Sequence, residues 1–225
     1  MSTLYVVATP IGNLEDITLR AIRTLKEVKL ILAEDTRVTK KLLMHYDIST
    51  PTMSYHANSK LAKLDRIVAM LEEGNDIALV SDAGTPAISD PGVELVAAVR
   101  RTLPDVRVIT IPGPSALAAA VSIAGLPAAQ FTFLGFLPHK KGRETLFKEI
   151  AEQERATVFY ESPHRILKTL ASLATHAPMR TIMIARELTK IYECTVYGTP
   201  AELLVYFDEH SDEVRGEFVV LVAGE

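Results

Sequence analysis

The chain has 225 residues, 48% of them hydrophobic and 23% charged, with a formal net charge of −4. This is the profile of a globular protein of one large or two small domains with a sizeable core, and it argues against a protein that coats nucleic acid through bulk positive charge. The single cysteine, Cys194, excludes an internal disulfide and suits a reducing, cytoplasmic setting. No apolar run approaches the roughly 20 residues of a membrane span, and Met1 to Tyr5 has no basic stretch ahead of its apolar run, so neither a membrane helix nor a signal peptide is expected.

In chain order, Leu4 to Thr9 is a continuous apolar run, as expected of a strand covered on both faces, and Pro10-Ile11-Gly12-Asn13 turns the chain. Asp16 is placed to cap a helix over 17–27. Leu30 to Ala33 reads as the second strand and ends in Glu34-Asp35-Thr36-Arg37, where Asp35 or Thr36 can cap a helix over 38–46. A short third strand, 52–55, ends at His56, and an amphipathic helix over 59–73 is stopped by Gly74. Ile77 to Val80 and Val106 to Ile111 read as the fourth and fifth strands, with a helix beginning at Val93 between them. Strands alternating with helices imply βαβ units and a mostly parallel sheet.

The stretch Ser81 to Gly92 (SDAGTPAISDPG) follows the fourth strand. It is longer than most βα connections, carries little apolar bulk, and is rich in Gly, Pro, Asp and Ser, so backbone can approach a ligand there. Loops at the carboxyl ends of strands are where α/β sheets bind ligands.

Pro112-Gly113-Pro114-Ser115 cannot continue a strand and is taken as the boundary between an N-terminal domain, 1–112, and a C-terminal one, 113–225. A small-residue helix follows from Ala116, then a strand at 131–136, a helix at 143–153 and a strand at 157–160 ending in Glu161-Ser162-Pro163-His164-Arg165. The remaining reading is a helix at 166–175, a strand at 181–185 ending in Arg186-Glu187, and strands at 191–197 and 217–222 around a helix at 200–207. The expected fold is therefore α/β, with two α/β domains, the second built on a mixed sheet.

Walker A, G-x-G-x-x-G, G-x-S-x-G and H-E-x-x-H patterns are all absent, and scattered histidines with one cysteine build no metal site. What remains are polar residues at strand ends: Thr9, Asn13, Glu34, Asp35, Arg37, His56, Ser81, Asp82, Tyr160, Glu161, Arg186 and Glu187. Singly, each reads as a helix cap or a surface residue; together they point to a small-molecule site between the halves. Basic residues crowd two regions, Arg20 to Lys41 and His139 to Lys148, and such patches can meet phosphates on an acidic protein, although charge alone reads as solvated helix faces.

The segments Ala8 to Asn13, Ala33 to Arg37, Ser81 to Gly92, Ile111 to Ala116, Phe159 to Arg165, Ala185 to Lys190 and Gly216 to Phe218 occur in this order. Together they resemble the tetrapyrrole-methylase superfamily of S-adenosylmethionine (SAM) enzymes, and within it the branch that methylates small-subunit ribosomal RNA. The resemblance runs from Leu4 to about Val222. It implies two α/β domains with SAM between them, a homodimer, no metal and no membrane association, and methyl transfer to the ribose 2′-oxygen of a cytidine in the decoding region of 16S rRNA. Members of the branch often carry a further segment after the last strand, where this chain stops at Glu225.

The resemblance implies cofactor contacts at Pro10, Ile11 and Gly12, at Gly84, Thr85, Pro86 and Ile88, at Ser115 and Ala116, and at Tyr160, Ala185, Glu187 and Phe218. Many relatives have Gly-Asp-Pro where this chain has Gly84-Thr85-Pro86, which removes an acidic contact. Candidate bases for the hydroxyl proton are Glu34, Asp35, His56 and Glu161, each just past a strand, with Glu161 also suited to pair Arg165. Arg37, Arg165, Arg186 and Lys190, with Lys140 and Lys141 in the loop Leu137 to Gly142, are candidates for RNA phosphates. Two other readings stay open: a tetrapyrrole methyltransferase of the same fold, and a non-catalytic SAM or nucleotide sensor.

Overall fold

The computed structural model of the chain describes residues 2–56 and 61–225. The chain divides into two compact units, Met1–Ser115 and Ala116–Glu225, each with its own five-stranded sheet.

In the first unit, strands β1 (Thr3–Val7), β2 (Leu30–Ala33), β3 (Thr52–Ser54), β4 (Ile77–Val80) and β5 (Arg107–Ile111) lie in the order β3-β2-β4-β1-β5, and every pair is parallel. The crossovers run through α1 (Leu19–Glu27), α2 (Thr36–His45), α3 (Leu61–Glu72) and α4 (Val93–Thr102). Alternate side chains of each strand leave by opposite faces. Leu30, Leu32, Ile77 and Leu79 pack with Ile67, Leu71, Leu95 and Val99 of α3 and α4. Ile31, Ala33, Ala78 and Val80 pack with Leu25, Leu42 and Leu43 of α1 and α2. Both faces are covered, which is why these strands read as unbroken apolar runs.

Helix starts differ from expectation where a second polar residue competes for the cap. Asn13 accepts the Glu15 N–H at 3.1 Å and sets a short 3₁₀ turn over Leu14–Asp16, so Asp16 caps nothing. The chain then extends, and the Thr18 hydroxyl oxygen accepts the Ala21 N–H at 3.1 Å to start α1. At α2 the cap is Asp35, which accepts the Arg37 N–H at 2.8 Å. The expected start of α3 at Ser59 lies outside the described residues.

In the second unit, helices α5 (Ala116–Ile123), α6 (Arg143–Ala151), α7 (Ile166–His176) and α8 (Pro200–Glu209) accompany strands β6 (Phe131–Phe136), β7 (Ala156–Glu161), β8 (Ile182–Arg186), β9 (Cys194–Gly198) and β10 (Phe218–Val222). The order is β6-β7-β10-β8-β9, with β6 and β7 parallel and the other pairs antiparallel. Phe159, Ile184, Phe218 and Val220 of the sheet close on Phe147, Leu170, Leu173 and Phe207 of α6, α7 and α8. Helix α5 packs against β10. Strand β9 begins at Cys194 rather than Ile191, because 188–192 fold into turns with Thr189 at φ 69°. A capping box, Thr199 with Glu202, and Pro200 in the first turn fix the start of α8.

Glu161, at the end of β7, is 1% exposed. Its Oε1 accepts the Ser162 N–H at 2.8 Å and lies 2.8 Å from Arg165 Nε, and its Oε2 accepts the Thr169 hydroxyl at 2.7 Å. Arg143 Nη2 stands 3.7 Å from the same Oε2. Breaking a buried pair by removing one partner typically costs about 3–5 kcal/mol. Glu161→Ala is therefore expected to lower the thermal midpoint by several degrees and to do so at neutral pH; an unchanged melting curve would show that this cluster adds nothing to the fold.

Candidate functional site

In the first unit the loops after β1 and β4 are sewn together by backbone. Thr9 N–H donates to Gly84 O at 2.9 Å, and Gly84 N–H donates back to Thr9 O at 3.0 Å. The buried Thr9 hydroxyl donates to Ser81 O at 3.1 Å. The stretch after β5 joins them, since the Thr85 hydroxyl donates to Pro114 O at 3.2 Å. Gly84 sits at φ 80°, and a Cβ there would stand 3.3 Å from Ile11 Cγ2. Ile11, Gly84 and Thr85 are thus gathered at the carboxyl edge of the sheet, with Pro10 and Gly12 beside Ile11, Pro86 beside Thr85, and Ser115 just past Pro114. Ile88 is 40% exposed on the same loop, between Ala87 at φ 67° and Ser89 at φ 65°. Left-handed backbone at non-glycine residues costs on the order of 1–3 kcal/mol and gathers where a loop's shape serves binding.

The neighbouring strand ends carry acids. Asp35 N–H donates to Asp82 Oδ1 at 2.8 Å, which ties the ends of β2 and β4. Burial, then the nearby Asp82, raises the Glu34 carboxyl above its ordinary range, while His56 pulls it down, so Glu34, Asp82 and His56 share one electrostatic neighbourhood. Asp35 is different: its bonds to the Arg37 side chain and N–H hold it at about 2. Its Oδ2 lies 2.6 Å from Arg37 Nη2 on an exposed surface, so this carboxylate is a cap and a weak base. Asp90, absent from the expected set, is the most perturbed carboxyl here. Burial, then the charge of Glu34, pushes it up to about 6, with the Ser81 hydroxyl opposing. Its sequence signal was the second Asp of the loop Ser81 to Gly92, which read as a place for backbone to approach a ligand, with no role given to this carboxyl.

In the second unit the candidate residues divide by face. Register places Phe136, Tyr160, Val219, Ala185 and Thr195 in one transverse row across all five strands. Tyr160 and Ala185 therefore share the face opposite α6–α8, whereas Phe218 points into the helix-covered core. Glu187, just past β8 at φ 51°, accepts Lys190 Nζ at 2.8 Å and the Glu217 N–H at 2.9 Å. Ala116 opens α5.

The expected phosphate-binding cations also separate. Arg165 Nη1 donates to Leu137 O at 2.7 Å while its Nε meets Glu161. Arg186 is 5% exposed, with Nη2 3.6 Å from Glu213 Oε1 and no hydrogen-bond partner for Nε among the described residues. Lys190 Nζ bridges Glu187 and Glu217 at 2.8 and 2.9 Å. Lys140, Lys141 and Arg37 lie exposed.

A parallel sheet with a backbone-rich loop and carboxylates at its strand ends is the arrangement of a nucleotide-type ligand site. The sequence profile of the tetrapyrrole (corrin/porphyrin) methylases matches residues 3–204, and the chain belongs to this family. A protein named ribosomal RNA small subunit methyltransferase I from Synechocystis sp. is 48% identical over all of this chain and 80% of its own length. One of the same name from Thermotoga maritima is 44% identical over the full length of both chains. The crystal structure of the methyltransferase CobJ superposes with a TM-score of 0.70 over all of this chain and 95% of its own, at 20% identity, which is a likeness of fold. The chain is a SAM-dependent methyltransferase.

The first unit's residues fit that cofactor. Its small-residue loop lets backbone approach closely at Gly84, and the Glu34 and Asp82 carboxylates suit a cationic sulfonium and ribose hydroxyls. Among the described residues, no group of three or more His, Cys, Asp or Glu is placed to hold a metal ion, and no helix is long and apolar enough to cross a membrane.

The raised Asp90 carboxyl has a sign that can be checked. The folded protein holds this proton more tightly than the unfolded chain, so the group's contribution is full below about 3.8 and is lost as pH rises through about 6. Asp90→Asn is expected to melt above wild type at pH 8 and to match it near pH 4. An equal difference at both pH values would show that the Asp90 charge is not the source.

Proposed function

We propose that this protein transfers the methyl group of SAM to the ribose 2′-oxygen of a cytidine in the decoding region of 16S rRNA, acting in the cytoplasm on the small ribosomal subunit as a homodimer. The relatives' name carries the substrate, and their identity of 44–49% over nearly the whole chain supports taking it over. A tetrapyrrole substrate has in its favour the name of the broad family and solved structures of the same fold at 20% identity or less, against full-length relatives at 44–49% that carry the ribosomal RNA name.

When bound, SAM supplies a methyl already activated on a positively charged sulfonium. Pro10, Ile11 and Gly12, the loop Gly84 to Ile88, and Ser115 hold the cofactor in the first unit. Ala116, Tyr160, Ala185 and Glu187 are its contacts in the second, with Phe218 fixing the strand behind them. The carboxylates give the site a negative field and a place for the hydroxyl proton. Burial, then the like charge of Glu34, raises the Asp90 carboxyl to about 6, so it is ionised at neutral pH yet takes up a proton more readily than an ordinary Asp, and that is the property a general base needs. Asp90 is the preferred acceptor. Asp35, held at about 2 by Arg37, and Glu161, buried under its cations, serve structure. His56 sets the charge around Glu34. Arg37, Lys140 and Lys141 face RNA phosphates from solvent, whereas Arg165, Arg186 and Lys190 hold loops in shape.

A general base contributes about 10²–10⁴-fold to a rate. With purified small subunits from cells lacking the enzyme and radiolabelled SAM, label should enter 16S rRNA at a ribose 2′-oxygen, and Asp90→Asn should lower kcat by about 10²-fold or more with SAM affinity kept. Label in no ribosomal RNA would remove the substrate assignment; full kcat in Asp90→Asn would remove the base.

A further inference from the structure

The end of β6 holds a large apolar side chain in a place that folding alone does not explain. Phe136 is 57% exposed, although it belongs to a strand with a well-packed neighbour. Its orientation is set by an irregularity. Phe133 lies opposite Val158 of β7, but the next paired residue is Phe136, opposite Tyr160, so β6 spends one more residue than β7 over this interval. Leu134 packs on the helix-covered core, and by simple alternation Phe136 would follow it there. The extra residue reverses that order. Gly135 makes it possible, since its φ of 62° is a conformation that side chains disfavour.

Phe136 is thereby turned onto the face that carries Tyr160. The rings of Phe133 and Tyr160 are 5.1 Å apart between centroids, and those of Phe136 and Tyr160 are 5.4 Å apart. Tyr160 thus braces Phe136 from one side while the rest of the Phe136 ring faces solvent. The residues that follow at once are Leu137-Pro138-His139-Lys140-Lys141-Gly142. This loop is fastened at its base, with Arg165 Nη1 on Leu137 O at 2.7 Å and Arg143 Nη1 on Pro138 O at 3.2 Å. Two exposed lysines are therefore held within a few residues of an exposed, braced aromatic ring.

A flat ring beside fixed cations is the recognition unit for single-stranded nucleic acid: the ring takes a base face and the cations take the adjoining phosphates. The cationic cofactor has the opposite charge preference, so the lysines favour the polyanion. Resting on the ribosomal RNA reading above, we propose that Phe136 stacks an unstacked nucleobase of the rRNA strand beside the target nucleotide, with Lys140 and Lys141 on its phosphates. The bulge at Gly135 is the device that aims the ring.

The test is the KM for small ribosomal subunits, with SAM affinity measured separately by calorimetry. Phe136→Ala and Phe136→Leu should each raise that KM about tenfold or more, Phe136→Tyr should stay near wild type, and SAM affinity should hold in all three. Leu keeps the apolar bulk but not the stacking face, so its failure separates stacking from packing. Lys140→Ala with Lys141→Ala should raise KM and flatten its salt dependence. Wild-type KM in both Phe136→Ala and Phe136→Leu, or a loss confined to SAM affinity, would overturn the stacking role while methyl transfer to rRNA still stood. No transfer by the wild-type protein would overturn both.

Discussion

The two-way backbone bridge between Thr9 and Gly84 is the constraint on which the first unit's site depends. β1 and β4 are adjacent strands, and their loops would otherwise part at the sheet edge. By exchanging N–H and C=O groups after the strands have ended, they extend the ladder and hold the small-residue loop against Ile11. Everything else there follows. Thr85 reaches Pro114, Ala87 and Ser89 keep their left-handed backbone, and Asp90 is carried back toward Ser81 and Glu34, where burial and like charge change its chemistry.

The second unit solves a different problem with a mixed sheet. One face is committed to a core of α6, α7 and α8, and the ends of its strands are locked by charge, Glu161 with Arg165 and Arg143 on β7, and Lys190 with Glu187 and Glu217 beyond β8. The other face carries the row from Phe136 to Thr195. Arg165, Arg186 and Lys190, which a linear reading assigns to a ligand, each meet a carboxylate of this unit.

Much of this was legible in the sequence, for a physical reason. Strands buried on both faces appear as unbroken apolar runs, so β2 and β4 could be bounded to the residue, and the family motifs mark the loops at their ends. Competition between local polar groups was not legible. Nothing in the order of residues says that Asn13 would outbid Asp16, or that the turns at 188–192 would delay β9 to Cys194. Nor does sequence reveal burial. Glu161 and Arg186 look like ligand-facing charges beside a strand and prove to be internal, while Asp90, one of several small polar residues in its loop, acquires a raised carboxyl. The flip of Phe136 by one bulge residue is invisible for the same reason, since register is a property of the pair of strands.

The claim at the centre is that the bridged loop at Gly84 holds the cofactor. Gly84→Ala puts a Cβ on a residue at φ 80°, 3.3 Å from Ile11, a change of about 1–3 kcal/mol in backbone strain that the fold can bear. Calorimetric titration of SAM into wild type and this variant, each first checked for a cooperative melt, is the direct measurement. The account predicts tight binding by wild type and affinity at least about tenfold weaker in the variant, since a loss of that size corresponds to about 1.4 kcal/mol. Equal affinity in two folded proteins would contradict it.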